Sequence, residues 1–180
     1  MRREDFEHVI RAAASIVNDE LVVIGSQALH GQFHEMPEAL LVSREVDVYP
    51  KSAPEKADAI DVLIGDGSAF DNAYGYYAHG VGPETPKAPA GWEDRLVPID
   101  LPRQGVLPAA TAWCMEAHDL VLAKLAAGRS HDLEFSLEAI RSGLVDREQL
   151  RLGLGLMPEA HREAVRGRLE GLFARIDRSR

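Results

Sequence analysis

One cysteine in 180 residues, Cys114, excludes an internal disulfide and an all-cysteine metal site. Positive charge is scarce as well: 20 Lys and Arg face 29 Asp and Glu, for a formal net charge of -9. Each phosphate contact of a nonspecific DNA binder draws on local positive charge, so no DNA binding is expected. No apolar run approaches the ~20 residues of a membrane span. The opening "MRREDFEHVI" carries acids where a secretory leader needs an apolar core. These absences lead to the expectation of a cytoplasmic protein with no membrane contact. What is present, 46% hydrophobic residues, suffices for one globular unit with a sizeable core.

Along the chain, "REDFEHVIRAAASIV" spaces Phe6, Val9, Ile10, Ala13, Ala14 and Val17 as one helical stripe, ending near Asn18-Asp19. "LVVI" is a short buried strand, and "SQALHGQF" a predicted helix beginning after Gly25. "EVDVY" alternates acid and apolar residues, which puts Glu45 and Asp47 on one side of a strand and Val46 and Val48 on the other. "SAPEKADAIDVLIGDG" predicts a helix over 54–64. "AYGYYAHGV" reads as a strand, "GPETPKAPAGW" as a loop, and "DRLVPIDL" with "GVLPA" as paired short strands near a sheet edge.

The last third is helical. "EAHDLVLAKLAAG" runs from an acidic start to a glycine stop, and "SHDLEFSLEAIRSG" repeats the design with Ser130 as the predicted cap. Asp146 with Gln149 resembles a capping box, and a long final helix starts after Met157. The fold class is α+β: a small mixed sheet with helices packed on it over 1–110, then a helical region over 111–180 packed on that core.

The candidate chemistry lies in the first half. A Gly-Ser turn at a strand end offers backbone N–H groups and a hydroxyl to phosphate oxygens, and a helix start favours negative charge. Two carboxylates at i and i+2 of one strand stand on the same face about 6 to 7 Å apart, a spacing at which they bridge hard divalent cations such as Mg2+. Such cations join nucleotide phosphates and stabilise the attacking and leaving oxygens. Gly25-Ser26 followed by Glu45-Val46-Asp47 therefore describes nucleotidyl transfer from a triphosphate.

Three blocks, "VVIGSQAL", "SREVDVY" and "HDLVLAKLAAGRSHDLEF", span about residues 20 to 140. Together they resemble the nucleotidyltransferase superfamily built on the DNA polymerase beta palm. Within it, the chain looks most like the bacterial group related to the nucleotidyltransferase toxins of type IV toxin-antitoxin systems. The resemblance implies that Gly25 and Ser26 bind phosphate, that Glu45 and Asp47 bind Mg2+ or Mn2+, and that Lys124 and Asp132 complete the site. It also implies an NTP such as ATP as substrate, an RNA end, a protein or a small molecule as acceptor, and a cognate antitoxin as partner. A third carboxylate on a later strand is common in active relatives, and Asp100 in "LVPIDLP" is the candidate. Glu45 stands where the family usually has Asp, and its extra methylene moves the carboxylate by roughly an ångström, which near-ideal Mg2+ geometry tolerates poorly. The alternative is a weakened domain that binds a nucleotide or a protein without turnover.

Each residue has a plain structural reading too. Gly25-Ser26 suits a strand-to-helix turn, and alternating acids suit a solvated strand face. Lys124 could snorkel, and Asp132 could favour a helix dipole. Arg129 either binds a phosphate or pairs with Glu134. His30 and His34 lack a third metal ligand, Cys114 reads as a small buried hydrophobe, the two "HDL" repeats as helix-end capping, and the "YGYYAHG" aromatics as strand packing.

Overall fold

The computed structural model describes residues 1–179. Helix α1 (Arg3–Val17) turns Phe6, Val9, Ile10, Ala13 and Val17 inward and ends at Asn18, in the left-handed region at φ 52°. Strand β1 (Leu21–Ile24) is buried along its whole length. The predicted helix after Gly25 is a 3-10 turn over Ser26–Gly31, with Gln27, Ala28, Leu29 and His30 all buried. A segment so short and so wholly covered has no solvated face along which an amphipathic α-helix could extend.

Strand β2 (Glu45–Pro50) follows, then a 3-10 turn over Pro54–Lys56 leading into α2 (Ala57–Ile64). The predicted strand in "AYGYYAHGV" is shorter than expected. A further helix, α3 (Ala69–Tyr74), precedes it, capped by the Ser68 hydroxyl and stopped at Gly75, and the strand itself is β3 (Tyr77–Gly80). Strand β4 (Val97–Leu101) forms as expected. "GVLPA" does not pair with it. The partner is β5 (Ala110–Cys114), because the buried Arg11 donates to the carbonyls of Pro102 and Pro108 at 2.9 and 2.6 Å and holds the intervening loop off the sheet.

The sheet order is β3-β2-β1-β5-β4. β1 runs antiparallel to β2 and parallel to β5, and β2 runs parallel to β3. Helices α1 and α2 pack against strands of this sheet, where Val46, Val48 and Ala78 are fully buried. Gly80 shares their side: a Cβ there would stand 2.2 Å from the Ala57 carbonyl oxygen, so α2 sits hard on the end of β3.

The remaining chain is α4 (Ala117–Ala127), α5 (Ser130–Arg141), α6 (Arg147–Leu154) and α7 (Glu159–Arg178). Ser130, the predicted cap, is the first residue of α5, and Arg129 holds the cap position without a side-chain bond. Glu116 caps α4 and Asp146 caps α6. Helix α4 is apolar all round, with Leu120, Val121, Leu122 and Leu125 buried, the mark of a helix enclosed by others. It packs on α5, α6 and α7, and meets the sheet end through the 26–31 turn, while α5 meets the 38–40 turn. The Ala90 N–H donates to Leu156 O at 2.9 Å and Arg95 grips Asp119, tying the loop before β4 to the helices. No helix of the described residues is long and apolar enough to cross a membrane.

Each large side chain buried on α4 contributes on the order of 1.5 to 3 kcal/mol, and β5 lies between β1 and β4. A chain ended after Pro108 loses both. It is expected to be insoluble or molten, without dispersed amide resonances; a well-dispersed spectrum would show that the sheet stands without β5 and α4.

Candidate functional site

The site begins with a strand register. β2 and β3 pair in parallel with Glu45 opposite Tyr77 and Asp47 opposite His79. Successive residues of a strand face opposite ways, so burying Val46, Val48 and Ala78 on the α2 side turns Glu45, Asp47, Tyr77 and His79 together to the other. There the Tyr77 hydroxyl donates to Glu45 Oε2 at 2.8 Å, and His79 Nδ1 lies 3.0 Å from Asp47 Oδ1 and 3.8 Å from Glu45 Oε1. Tyr77 is the anchor the longer Glu45 side chain needs. Burial first, then the neighbouring Glu45 charge, pushes its phenol up to about 12, so it stays a donor.

Asp47 is the most enclosed of the three candidate ligands, with its side chain 25% exposed against 37% for Glu45 and 48% for His79. Burial, then the hydrogen bond and charge of Glu45, push the Asp47 carboxyl up to about 6, against the pull of His79. Burial opposes the His79 cation, but the hydrogen bond and charge of Asp47, with Glu45 and Asp61 behind, outweigh it and raise the ring above its ordinary value. A raised carboxyl beside a raised imidazole marks an excess of negative charge, which a cation would relieve.

Gly25 closes one side. Its backbone is left-handed at φ 71°, and a Cβ there would stand 2.2 Å from Asp47 Oδ2. Only glycine fits, because both the conformation and the space exclude a side chain. From the helical third, Lys124 donates to Asp132 Oδ1 at 2.9 Å and lies over the Phe135 ring, 4.7 Å from its centroid. The second oxygen of Asp132, Oδ2, is buried with no hydrogen-bond partner among the described residues, and the side chain is only 5% exposed. A buried carboxylate oxygen left unpaired is costly and calls for a donor or cation from the adjoining space.

That space is a cleft of two lobes. One, of about 420 Å³, lies between the 39–43 segment and α5 and takes in Ser26. The other, of about 230 Å³, lies between the 85–87 loop and α4 and takes in Gly25 and His79. Glu45, Asp47, Lys124, Arg129 and Asp132 line both. Seven of the eight expected residues thus converge, although Lys124 and Asp132 follow the acid pair far along the chain. Asp100 does not join them. It lies on β4, the edge strand furthest from β3, and its Oδ1 accepts from the Thr111 hydroxyl at 2.9 Å. His79 and Tyr77 were missed; both share the strand parity that "YGYYAHG" makes visible, and only the pairing of β3 with β2 gives that parity meaning.

Two further histidines have structural work. His30 stacks on Phe6 at 4.8 Å, and burial lowers it to about 4. His118 Nδ1 bonds Glu116 at 2.8 Å, and its Nε2 accepts from the Asp146 N–H at 2.9 Å, tying α4 to the start of α6. Cys114 is buried, and burial pushes its thiol up to about 12.

The donor set suits a divalent cation. One ligand atom each from Glu45, Asp47 and His79 lie within 4.8 Å of one another, and two carboxylates with an imidazole are ordinary ligands of such ions. A protein family described as nucleotidyltransferase of unknown function (DUF6036) matches residues 4–154, from α1 to the end of α6, and so includes the whole cleft. No curated protein and no solved structure matches the chain.

The raised Asp47 carboxyl carries a stability signature. Its folded value of about 6 exceeds the unfolded value of about 3.9. The folded state therefore holds the proton more tightly and loses stability as pH rises from about 4 through about 6. Asp47→Asn removes that loss. In EDTA the variant is expected to melt several degrees above wild type near pH 7.5 and close to it near pH 4; a lower melting temperature at both would make Asp47 a structural residue.

Proposed function

The chain belongs to this family of nucleotidyltransferases, and from that premise we propose that it transfers a nucleotidyl group from an NTP such as ATP to an acceptor hydroxyl with the help of Mg2+ or Mn2+. The observation that carries the reading is the meeting of Glu45, Asp47, Lys124, Arg129 and Asp132, drawn from β2 and the α4–α5 segment, on the lining shared by two lobes. One lobe would hold the triphosphate and the other the acceptor, with the reacting phosphorus between them.

The acceptor hydroxyl oxygen forms the new P–O bond as the α–β phosphoanhydride bond breaks and pyrophosphate leaves, and the hydroxyl proton passes to solvent. Glu45 and Asp47 would hold the divalent cation, which supplies charge neutralisation to the phosphates when bound. Lys124 contributes a point charge to a phosphate oxygen, and Asp132, bonded to it at 2.9 Å, keeps the ammonium from folding back onto other acids. Arg129, exposed between α4 and α5, offers a planar fork to the same phosphates. Gly25 lets the backbone approach the carboxylates, and the Ser26 hydroxyl adds a donor. The bond from Tyr77 to Glu45 favours catalysis over the weakened, binding-only domain, because it fixes the longer acid that made turnover doubtful.

The finer reading follows the toxin-like resemblance: the acceptor is an RNA end, a protein side chain or a small molecule, and a cognate antitoxin restrains the activity. In this reading the core over 1–110 supplies the acids and the region over 111–180 supplies Lys124, Arg129 and Asp132, so neither acts alone.

The test is incubation of the protein with each α-labelled NTP, Mg2+ or Mn2+, and total cellular RNA or protein. Wild type is expected to label one acceptor class. Asp47→Asn and Lys124→Ala should each lose about 100- to 1,000-fold, the scale of removing one transition-state charge contact. Equal labelling by wild type and Asp47→Asn would refute the assignment, and metal-dependent NTP binding with no labelling would support the binding-only domain.

A further inference from the structure

We propose that His79 is the third ligand of the cation site, and that the site therefore prefers a divalent first-row transition ion, with Mn2+ as the probe, to Mg2+. The inference rests on the nucleotidyl-transfer reading for the cation's place at Glu45 and Asp47, and adds to it the ligand set and the metal.

The parallel register sets His79 beside Asp47, and its Nδ1 reaches both acids, at 3.0 and 3.8 Å. It stands where a third carboxylate was expected and where Asp100 is not. The ligand atoms of the three side chains lie within 4.8 Å of one another, close enough to share one ion after small rotations about their side-chain bonds. A second observation lies in the same cleft: Asp132 Oδ2 is buried and has no hydrogen-bond partner among the described residues, on a residue that lines both lobes.

The metal preference follows from the ligand atoms. Mg2+ takes oxygen donors in a tight octahedron and sheds water reluctantly. Imidazole nitrogen suits the first-row transition ions, whose affinity for such ligands rises from Mn2+ to Cu2+ and falls again at Zn2+. Two carboxylates and a water shell alone would leave Mg2+ and Mn2+ nearly equal; one imidazole separates them. Without an ion, a carboxylate offers lone pairs only, so the contact with Asp47 requires the proton on Nδ1. Binding through Nδ1 requires that proton to leave Nδ1, and Nε2 remains to carry one. Glu45 keeps its Tyr77 bond through Oε2 and has Oε1 for the ion.

The experiment uses the full chain without nucleotide. Mn2+ binding is followed by loss of the free-ion EPR signal, nitrogen ligation by electron spin echo modulation from 14N, and Mg2+ by competition. Wild type is expected to bind Mn2+ at least about 10-fold more tightly than Mg2+ and to show 14N modulation. His79→Ala should lose the modulation and about 10-fold or more in Mn2+ affinity while Mg2+ affinity changes little. His79→Asp should bring the two metals close to parity. His79→Gln, which keeps a hydrogen-bonding group beside Asp47, should behave as His79→Ala; if it instead keeps wild-type Mn2+ affinity, His79 serves only to order the acid pair and the inference falls. Mn2+ binding that vanishes in Asp47→Asn but shows no 14N modulation in wild type overturns this inference and leaves the nucleotidyl-transfer reading standing. Mn2+ binding unchanged in both Asp47→Asn and His79→Ala overturns the two together.

Discussion

Like charges on one strand face repel, and the fold holds Glu45 and Asp47 together in spite of it. What fixes them is the opposite face. Val46 and Val48 are fully buried, and a slip of one residue in β2 would bury the acids and expose the valines. Each such burial is worth on the order of 1.5 to 3 kcal/mol, and it holds the acids together although burial first, and then the hydrogen bond and charge of Glu45, push the Asp47 carboxyl up to about 6. Gly25 presses the same constraint from the side, since its missing Cβ leaves the only space in which the Asp47 carboxylate fits. The charge gathered at the two acids is what a bound cation would relieve.

The helical third owes its place to this arrangement. Helix α4 is enclosed by α5, α6 and α7, and so carries Lys124 on a rigid support at the end of the sheet. Asp132 on the next helix holds that lysine at 2.9 Å while leaving its own second oxygen unpaired. The turn at Gly128, left-handed at φ 67°, redirects the chain within a few residues, so Lys124, Arg129 and Asp132 reach the cleft from one compact corner. Two basic groups, one of them held by Asp132, opposite the acid pair form a site for an anion and a cation bound together, which is the composition of a metal nucleotide.

Much of this was legible in the sequence, for reasons that are local. Period-two alternation in "EVDVY" and the helical stripe in α1 report which side chains are buried. Capping residues report where helices start and stop, as at Asp146 and Gly128. What was not legible depended on long-range pairing. Asp100 and His79 both sit on short strands, and only the order β3-β2-β1-β5-β4 decides which of them lies beside the acid pair. The strand expected in "GVLPA" failed because a buried arginine far upstream, Arg11, takes the loop's carbonyls. Helix α3 takes Ala73 and Tyr74 from the segment read as a strand, "AYGYYAHGV", because Phe70 and Tyr74 pack with Tyr76 and His8 in one aromatic cluster.

The central claim is that a divalent cation and a triphosphate meet at Glu45, Asp47 and Lys124. Crystals grown with a non-hydrolysable NTP and Mn2+, measured for anomalous scattering, test it most directly. The account predicts an anomalous peak within coordination distance of Glu45 and Asp47, with phosphate density reaching toward Lys124 and Ser26. Nucleotide density lodged elsewhere, such as the cavity bounded by Arg95, His118 and Gln149, with no peak at the acid pair, would contradict it.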